Sequence, residues 1–150
     1  MEKLKIYMDN CCYNRPFDNQ NQLRIALETE AKLFIQNMIK SQGIDFVWSY
    51  VLLLENSRNT SSAKKNAISA FANRAAEIVA PSEEILQNAA SIMATGIKAY
   101  DALHVACSIS SNCDFLITTD DRLLKYQDSR IKIVDPIDFI KLIGVEADGE

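Results

Sequence analysis

Short apolar segments alternate with longer segments of helical periodicity along the chain. Residues 4–9 alternate between apolar and more polar positions, which predicts a first strand that ends at Asp9. Short apolar runs predict further strands at 44–48, 115–117 and 131–134, and the polar segment 10–22 predicts a loop. Apolar residues at helical spacing, with capping residues at the ends, predict the helices. These lie at 23–39, after Ser49, from Ser61 or Ser62 to Ile78, from Pro81 to Gly96, from about Ala99 to Ser110 and from Asp135-Pro136 to Ile143. Short strands that alternate with helices predict an α/β domain whose mostly parallel sheet is covered by helices on both faces.

The chain has the length and composition of one folded domain. It contains no repeat or linker, and its 48% hydrophobic and 24% charged residues are near the average for globular proteins. We therefore expect a single domain over 1–150 with a disordered tail at about 147–150. The N-terminus lacks the apolar run of a signal peptide, and no stretch approaches the roughly 20 apolar residues that span a bilayer. These features predict a cytoplasmic protein without a membrane partner.

Cysteine usage gives no indication of a structural metal site. Cys11, Cys12, Cys107 and Cys113 include no Cys-x-x-Cys pair, and His104 is the only histidine. A reducing cytoplasm would keep these cysteines as thiols. We interpret them as small, semi-apolar packing residues.

Acidic residues follow two of the predicted strands. Asp9 ends the first strand, and Asp120 and Asp121 come shortly after the strand at 115–117. In an open parallel sheet, ligands bind beyond the carboxyl ends of the strands, so Asp9 and Asp120 would share one crevice if their strands are neighbours. An alternative is that Asp120 or Asp121 only caps the short helical turn that follows.

Two further acids lie on helix faces that the core should occupy. Glu55 shares a face with Val51 and Leu52, and Asp101 lies in an almost wholly apolar helix. Burying a carboxylate is costly unless another group compensates for its charge. Asp101 could instead be the N-cap of its helix, but one cause shared by all four acids is simpler than four separate ones.

A divalent cation is such a shared cause. Mg²⁺ and Mn²⁺ prefer oxygen ligands, and four carboxylates could hold one or two of these ions. The cation would activate a water molecule, orient a scissile phosphate and stabilise the leaving oxygen. A net charge of −4 argues against nucleic-acid binding when read alone, but a bound cation reverses the local field of an acidic site.

The ordered set of acidic motifs resembles that of PIN-domain proteins, in particular the small bacterial toxins of the VapC type. Each motif is short, but together they span nearly the whole chain. The matching segments are Ile6-Tyr7-Met8-Asp9, Leu52-Leu53-Leu54-Glu55-Asn56, Tyr100-Asp101-Ala102-Leu103-His104-Val105-Ala106 and Leu116-Ile117-Thr118-Thr119-Asp120-Asp121-Arg122-Leu123. The resemblance implies a three-layer α/β/α sandwich around a parallel sheet, and Mg²⁺- or Mn²⁺-dependent endoribonuclease activity.

The resemblance also implies roles for individual residues. The catalytic and metal-binding acids are Asp9, Glu55, Asp101 and Asp120, and either Asp120 or Asp121 could face the metal. Supporting hydrogen bonds to a ligand or water would come from three neutral side chains, those of Asn10, Thr118 and Thr119. For toxin members, the resemblance implies a homodimer that cleaves RNA and is inhibited by a small antitoxin protein.

The segment after the first strand departs from the family pattern. Many members have Thr or Ser just after the first acid, where this chain has Asn10-Cys11-Cys12. Arg15 in the same segment could contact an RNA phosphate or be an ordinary surface residue. We interpret His104 as a packed or partly exposed helix residue rather than a ligand. An alternative function is a catalytically inactive PIN-fold module that binds RNA or protein, but the complete set of four acids favours a nuclease.

Overall fold

A five-stranded parallel sheet forms the centre of the protein, whose computed structural model describes residues 3–41 and 43–148. The strands are β1 (Leu4–Met8), β2 (Ile44–Ser49), β3 (Glu77–Val79), β4 (Phe115–Ile117) and β5 (Lys132–Val134). They pair in parallel in the order β3-β2-β1-β4-β5. The predicted strands that correspond to β1, β2, β4 and β5 are thus confirmed.

Helices connect and cover the strands. The helices of the described residues are α1 (Asn10–Asn14), α2 (Leu23–Lys40), α3 (Tyr50–Ser57), α4 (Ser62–Ala72), α5 (Glu83–Met93), α6 (Ala99–Ser110), α7 (Asp121–Leu124) and α8 (Pro136–Asp148), with a 3-10 helix at Arg15–Phe17. Ser49, Ser61 and Ser82 each accept a hydrogen bond from the backbone N–H three residues later, so all three act as N-caps. None of the helices described for 3–41 and 43–148 is both long and apolar enough to cross a membrane.

The sheet lies between layers of helices, as the sequence predicts. Helix α2 packs against α8, and α5 packs against α6. The central strand β1 is fully buried at Ile6, Tyr7 and Met8. Helices cover both faces of this parallel strand and shield both from water, which explains its apolar character. The α/β/α fold class is confirmed.

Three segments differ from the prediction. Residues 10–17 form α1 and the 3-10 helix rather than a loop, because burial of Cys12 and Tyr13 fixes a helix too short to show periodicity. Residues 77–79 form an edge strand rather than the end of a helix, and three residues carry too little alternation to identify it. Helix α8 continues past the predicted end at Ile143, since the single Gly144 costs only about 1 kcal/mol in a helix. The predicted tail is therefore helical at 147–148, and 149–150 lie outside the described residues.

The strand order creates a crevice between β1 and β4. From β1 the chain passes outward to β2 and β3, and it then returns to the other side of β1 through β4. Ligands of open parallel sheets bind at such a reversal, beyond the carboxyl ends of the strands. A hydrogen bond of 3.0 Å from the Asp9 N–H to the Ile117 carbonyl joins the two strand ends at this point. The strands that carry Asp9 and Asp120 are thus neighbours.

Candidate active site

The four predicted acids line one cavity beyond the carboxyl ends of β1 and β4. Its volume is about 350 Å³. Asp9 and Asp120 follow the two strands, Glu55 comes from α3 and Asp101 comes from α6. The other lining residues are Asn10, Cys11, Asn14, Asp18 and His104. Five carboxyl groups therefore face a small volume at the reversal point of the sheet.

Asp9 is the most buried of the four acids, with 4% of its surface exposed. Its carboxylate accepts hydrogen bonds from the Thr118 hydroxyl and the Cys11 thiol. Burial raises the pKa of Asp9 well above its ordinary value, because the ionised form loses its hydration here. The Thr118 hydroxyl also accepts a hydrogen bond of 3.1 Å from the backbone N–H of Asp120. Thr118 thus fixes the two strand-end acids relative to each other.

Asp120 caps a helix and also faces the cavity. Its Oδ1 accepts a hydrogen bond of 2.9 Å from the Arg122 N–H at the start of α7. The capping interpretation of the sequence is therefore correct, and it does not exclude a second role. A carboxylate has two oxygens, and the cap engages only one of them.

Glu55 is held by a chain of hydrogen bonds that begins in the core. Nε2 of His104 lies 2.5 Å from Oε1 of Glu55. On the other side of the ring, Nδ1 lies 2.6 Å from the Tyr7 hydroxyl. That hydroxyl lies 2.6 Å from the hydroxyl of Ser49, which accepts a hydrogen bond from the Leu52 N–H. His104 is 2% exposed, so this series of hydrogen bonds is shielded from water until it reaches Glu55.

The chemistry of these groups determines which atom donates and which accepts in each hydrogen bond of this series. A carboxylate only accepts hydrogen bonds, so Nε2 of His104 carries the hydrogen in its contact with Glu55. In the neutral imidazole, Nδ1 then accepts from Tyr7. Burial raises the pKa of Tyr7 well above its ordinary value, so the phenol keeps its hydrogen. The Glu55 carboxylate therefore sets the tautomer of His104, Tyr7 and Ser49 fix the orientation of its ring, and His104 in turn positions Glu55.

Asp101 lies in the first turn of α6, whose N-cap is Lys98. The alternative that Asp101 is itself the N-cap is therefore wrong. Burial raises the pKa of Asp101, and the neighbouring carboxylates of Asp120 and Glu55 raise it further. Repulsion between like charges thus contributes to the raised pKa of Asp101, but loss of hydration is the larger cause.

The remaining predicted site residues divide between the cavity and its surroundings. Asn10 lines the cavity, whereas Asp121 is exposed and forms an ion pair of 2.8 Å with Arg24. Arg15 does not line the cavity, and its guanidinium is paired with Asp18 and Glu28 at 3.0 and 2.9 Å. Thr119 is buried, and its backbone N–H lies 3.3 Å from the Cys11 sulfur.

Sequence reasoning missed four lining residues of the cavity, which are Cys11, Asn14, Asp18 and His104. Asp18 follows the 3-10 helix with an extended backbone, within a segment that the sequence predicts to be a loop, and its carboxylate forms an ion pair with Arg15. The sequence predicts that Cys11 is a packing residue, yet it lines the cavity. His104 is packed, as expected, but it also contacts Glu55. The spacing of His104 three residues after Asp101 was the available signal, because both then lie on one helix face.

The donor set of the cavity fits a hard divalent cation. Carboxylate oxygens from four separate elements surround it, and they are the ligands that Mg²⁺ and Mn²⁺ prefer. Within 3–41 and 43–148, no lysine or arginine forms an ion pair with Asp9, Glu55, Asp101 or Asp120. Buried carboxylates are normally paired or coordinate a metal, so the charge of this cluster calls for a cation from outside the chain.

Fold and cavity together define an α/β/α protein with an acidic site at the reversal point of its sheet. The family model described as "PIN domain" matches residues 18–129, which include Glu55, Asp101 and Asp120 but not Asp9. This match covers more than half of the chain, and the chain therefore belongs to the PIN-domain family, whose members are generally nucleases. No curated protein sequence matches the chain.

The solved structures with a similar fold include two VapBC complexes. One is the DNA-bound VapBC from Salmonella typhimurium, with a TM-score of 0.55 and 16% identity over 89% of this chain and 98% of the other. The second is VapBC2 from Rickettsia felis bound to a DNA fragment from its promoter, with a TM-score of 0.54 and 16% identity over 87% and 97% of the two chains. At this identity the similarity establishes the shared fold alone.

Proposed function

We propose that the protein is a metal-dependent endoribonuclease that hydrolyses phosphodiester bonds in RNA. The observation that carries this proposal is the convergence of Asp9, Glu55, Asp101 and Asp120 on one cavity, where no lysine or arginine of the described chain forms an ion pair with them. Such a cluster costs folding free energy unless a cation binds it. Membership of a family of nucleases supports the same conclusion.

The four carboxylates would hold Mg²⁺ or Mn²⁺. The cation supplies Lewis acidity, which activates a water molecule and stabilises the charge that develops on the phosphate. Asp9 and Asp120 are fixed relative to each other by Thr118. Glu55 uses Oε1 for His104, so Oε2 remains to accept a hydrogen bond from an attacking water. Asn10 at the cavity wall offers an amide to a phosphate oxygen or a water.

We further propose that the nuclease acts as the toxin of a toxin–antitoxin pair and forms a homodimer. The similar structures are VapBC complexes, which supports a small antitoxin partner for this chain. Exposed apolar side chains on α2 also support a partner surface, since Leu23 is 74% and Phe34 is 52% exposed.

Substrate class is tested by offering the protein matched RNA and DNA. Purified protein with Mg²⁺ or Mn²⁺ is incubated with single-stranded RNA and DNA pools of equal length and base composition, and the products are separated on a denaturing gel. We expect cleavage of the RNA and intact DNA. Intact RNA in both metals would support the inactive-module alternative, and equal cleavage of both pools would contradict the assignment to RNA.

A further inference from the structure

Two cysteine sulfurs lie beside the carboxylate of Asp9. The first turn of α1 follows Asp9 directly and carries Cys11 and Cys12. One ligand atom from each of these three residues can be chosen such that all three lie within 4.8 Å of one another. Cys11 lines the cavity, and Cys12 is fully buried behind it. The proposed hard-cation site therefore has a sulfur-containing wall on one side.

Contacts from the neighbouring strand end orient these sulfurs. The backbone N–H of Thr119 donates to the Cys11 sulfur at 3.3 Å, and the Thr118 hydroxyl lies 3.6 Å from it. The Cys12 thiol donates to the Ile117 carbonyl at 3.4 Å. Hydrogen bonds from N–H groups to a sulfur ligand are the kind of outer contact that fixes the geometry of a metal site. All three contacts come from residues 117–119, which are the last residue of β4 and the two residues after it.

We propose that Asp9, Cys11 and Cys12 form a binding site for a thiophilic divalent cation such as Zn²⁺ or Cd²⁺. Zinc accepts mixed sulfur and oxygen ligands, and three protein ligands with a water as the fourth are a common set. Tetrahedral bonds of about 2.3 Å place ligand atoms about 3.5–3.8 Å apart. The distances among the three ligand atoms therefore need to change by at most about 1 Å, and the short contact between the Cys11 sulfur and Asp9 has to lengthen. The cation takes the place of the hydrogen that Cys11 gives to Asp9, and the thiol protons go to solvent.

The two classes of cation would compete, because Asp9 belongs to both sites. Soft sulfur ligands favour Zn²⁺ and Cd²⁺ over Mg²⁺ and Mn²⁺, whereas the other cavity acids favour the hard ions. A thiophilic cation held by the sulfurs removes Asp9 from the hard-cation site. It would then inhibit cleavage at low concentration even in excess Mg²⁺, a consequence that rests on the proposed function.

Cadmium absorption tests the binding site without any activity. Cd²⁺ is titrated into the reduced protein, and the ultraviolet charge-transfer band of cadmium thiolate is recorded for wild type, Cys11→Ser, Cys12→Ser and Cys113→Ser. Cys113 is the matched control, since it precedes β4 and so lies at the opposite end of that strand. Circular dichroism shows whether each variant is folded.

We expect a band that saturates at one equivalent in wild type and in Cys113→Ser. It should fall to roughly half or less in both Cys11→Ser and Cys12→Ser, because each variant loses one of the two thiolate ligands. A missing band in wild type, or an unchanged band in folded Cys11→Ser, would overturn the site. Inhibition of RNA cleavage by Zn²⁺ is then measured for wild type and for each cysteine variant. Each rate is expressed relative to the rate of the same protein in Mg²⁺ alone. A protein that shows the band but never cleaves RNA would overturn the nuclease proposal and leave the cation site standing.

Discussion

Replacing Asp9 by asparagine is expected to lower metal-dependent RNA cleavage about 1000-fold. Asp9 is the most buried acid of the cavity and is linked to Asp120 through Thr118. The amide keeps the size of the side chain but loses the charge that holds the cation. Loss of about 4 kcal/mol of transition-state stabilisation, the scale of a metal contribution, corresponds to this factor. Single-turnover cleavage of a labelled RNA in Mn²⁺ measures the effect.

Asp45→Asn is the matched control for this variant. Asp45 lies on β2, away from the cavity, and lies 3.8 Å from Lys3 in an exposed ion pair. Its replacement by asparagine should leave the cleavage rate unchanged, because exposed pairs contribute little. Equal rates in wild type and Asp9→Asn would remove Asp9 from the site, and an equal loss in Asp45→Asn would show that the assay reports general damage.

Asp9→Asn, which should lower the cleavage rate, should raise the stability of the metal-free protein. Burial raises the pKa of Asp9 in the folded protein above that in the unfolded chain, so between these values the folded state binds more protons. The free energy of unfolding of the metal-free wild type therefore falls as the pH rises through this range. Asp9→Asn lacks that titration, so without metal it should be more stable than wild type at neutral pH. The difference should shrink as the pH falls towards about 4, the ordinary pKa of aspartate.

Manganese should reverse this order, because in the proposed site its binding to the folded protein depends on the charge of Asp9. At about 100 times its dissociation constant a ligand adds roughly 2.7 kcal/mol, which corresponds to a rise of about 5–10 °C in melting temperature for a domain of this size. Thermal melts of both proteins in Mn²⁺ and in EDTA give all four values. A variant that gains as much from Mn²⁺ as wild type would contradict the assignment of Asp9 to the metal.

Replacing His104 by alanine is expected to lower cleavage about 10- to 100-fold, which is the usual cost of removing a group that orients a metal ligand or catalytic acid. Its Nε2 lies 2.5 Å from Glu55, and its Nδ1 is fixed by the buried hydroxyl of Tyr7. Alanine would leave Glu55 without this contact and Tyr7 without its acceptor. His104 is a positioning residue, so the concentration of Mn²⁺ needed for half of the maximal rate should rise as well.

His104→Gln distinguishes positioning from packing. Its side-chain N–H can reach the place of Nε2 and donate to Glu55, so this variant should recover most of the rate. Tyr7→Phe keeps the bulk of the ring but removes the hydroxyl that orients the imidazole, and it should lower the rate less than His104→Ala. A loss in His104→Ala with an unchanged Mn²⁺ requirement and no recovery in His104→Gln would contradict a role through Glu55.

The fold was predictable because long-range pairing follows from local pattern in a parallel α/β protein. The buried run of β1 and the serine caps of α3, α4 and α5 leave clear signals in the sequence. The edge strand β3 and helix α1 are too short to produce a period, and both depend on contacts with distant residues. Their formation could not be read from local sequence.

The candidate site was predictable for a different reason. Acids at strand ends and on buried helix faces are costly, and that cost is visible without knowledge of the fold. The links between them are not visible. The contact of His104 with Glu55 spans 49 positions, and the contact of Thr118 with Asp9 spans 109. Sequence spacing likewise gave no reason to separate Asp121, whose partner Arg24 lies on α2, from Asp120.

Metal removal tests the central claim most directly, because every role proposed for the acids depends on a bound divalent cation. RNA cleavage by the wild-type protein is followed in Mn²⁺, in the same reaction after an excess of EDTA, and again after Mn²⁺ is restored above the chelator. The account predicts cleavage, arrest and full recovery in that order. Cleavage that continues unchanged in EDTA would contradict it, since the carboxylate cavity would then have no cation to hold during the reaction.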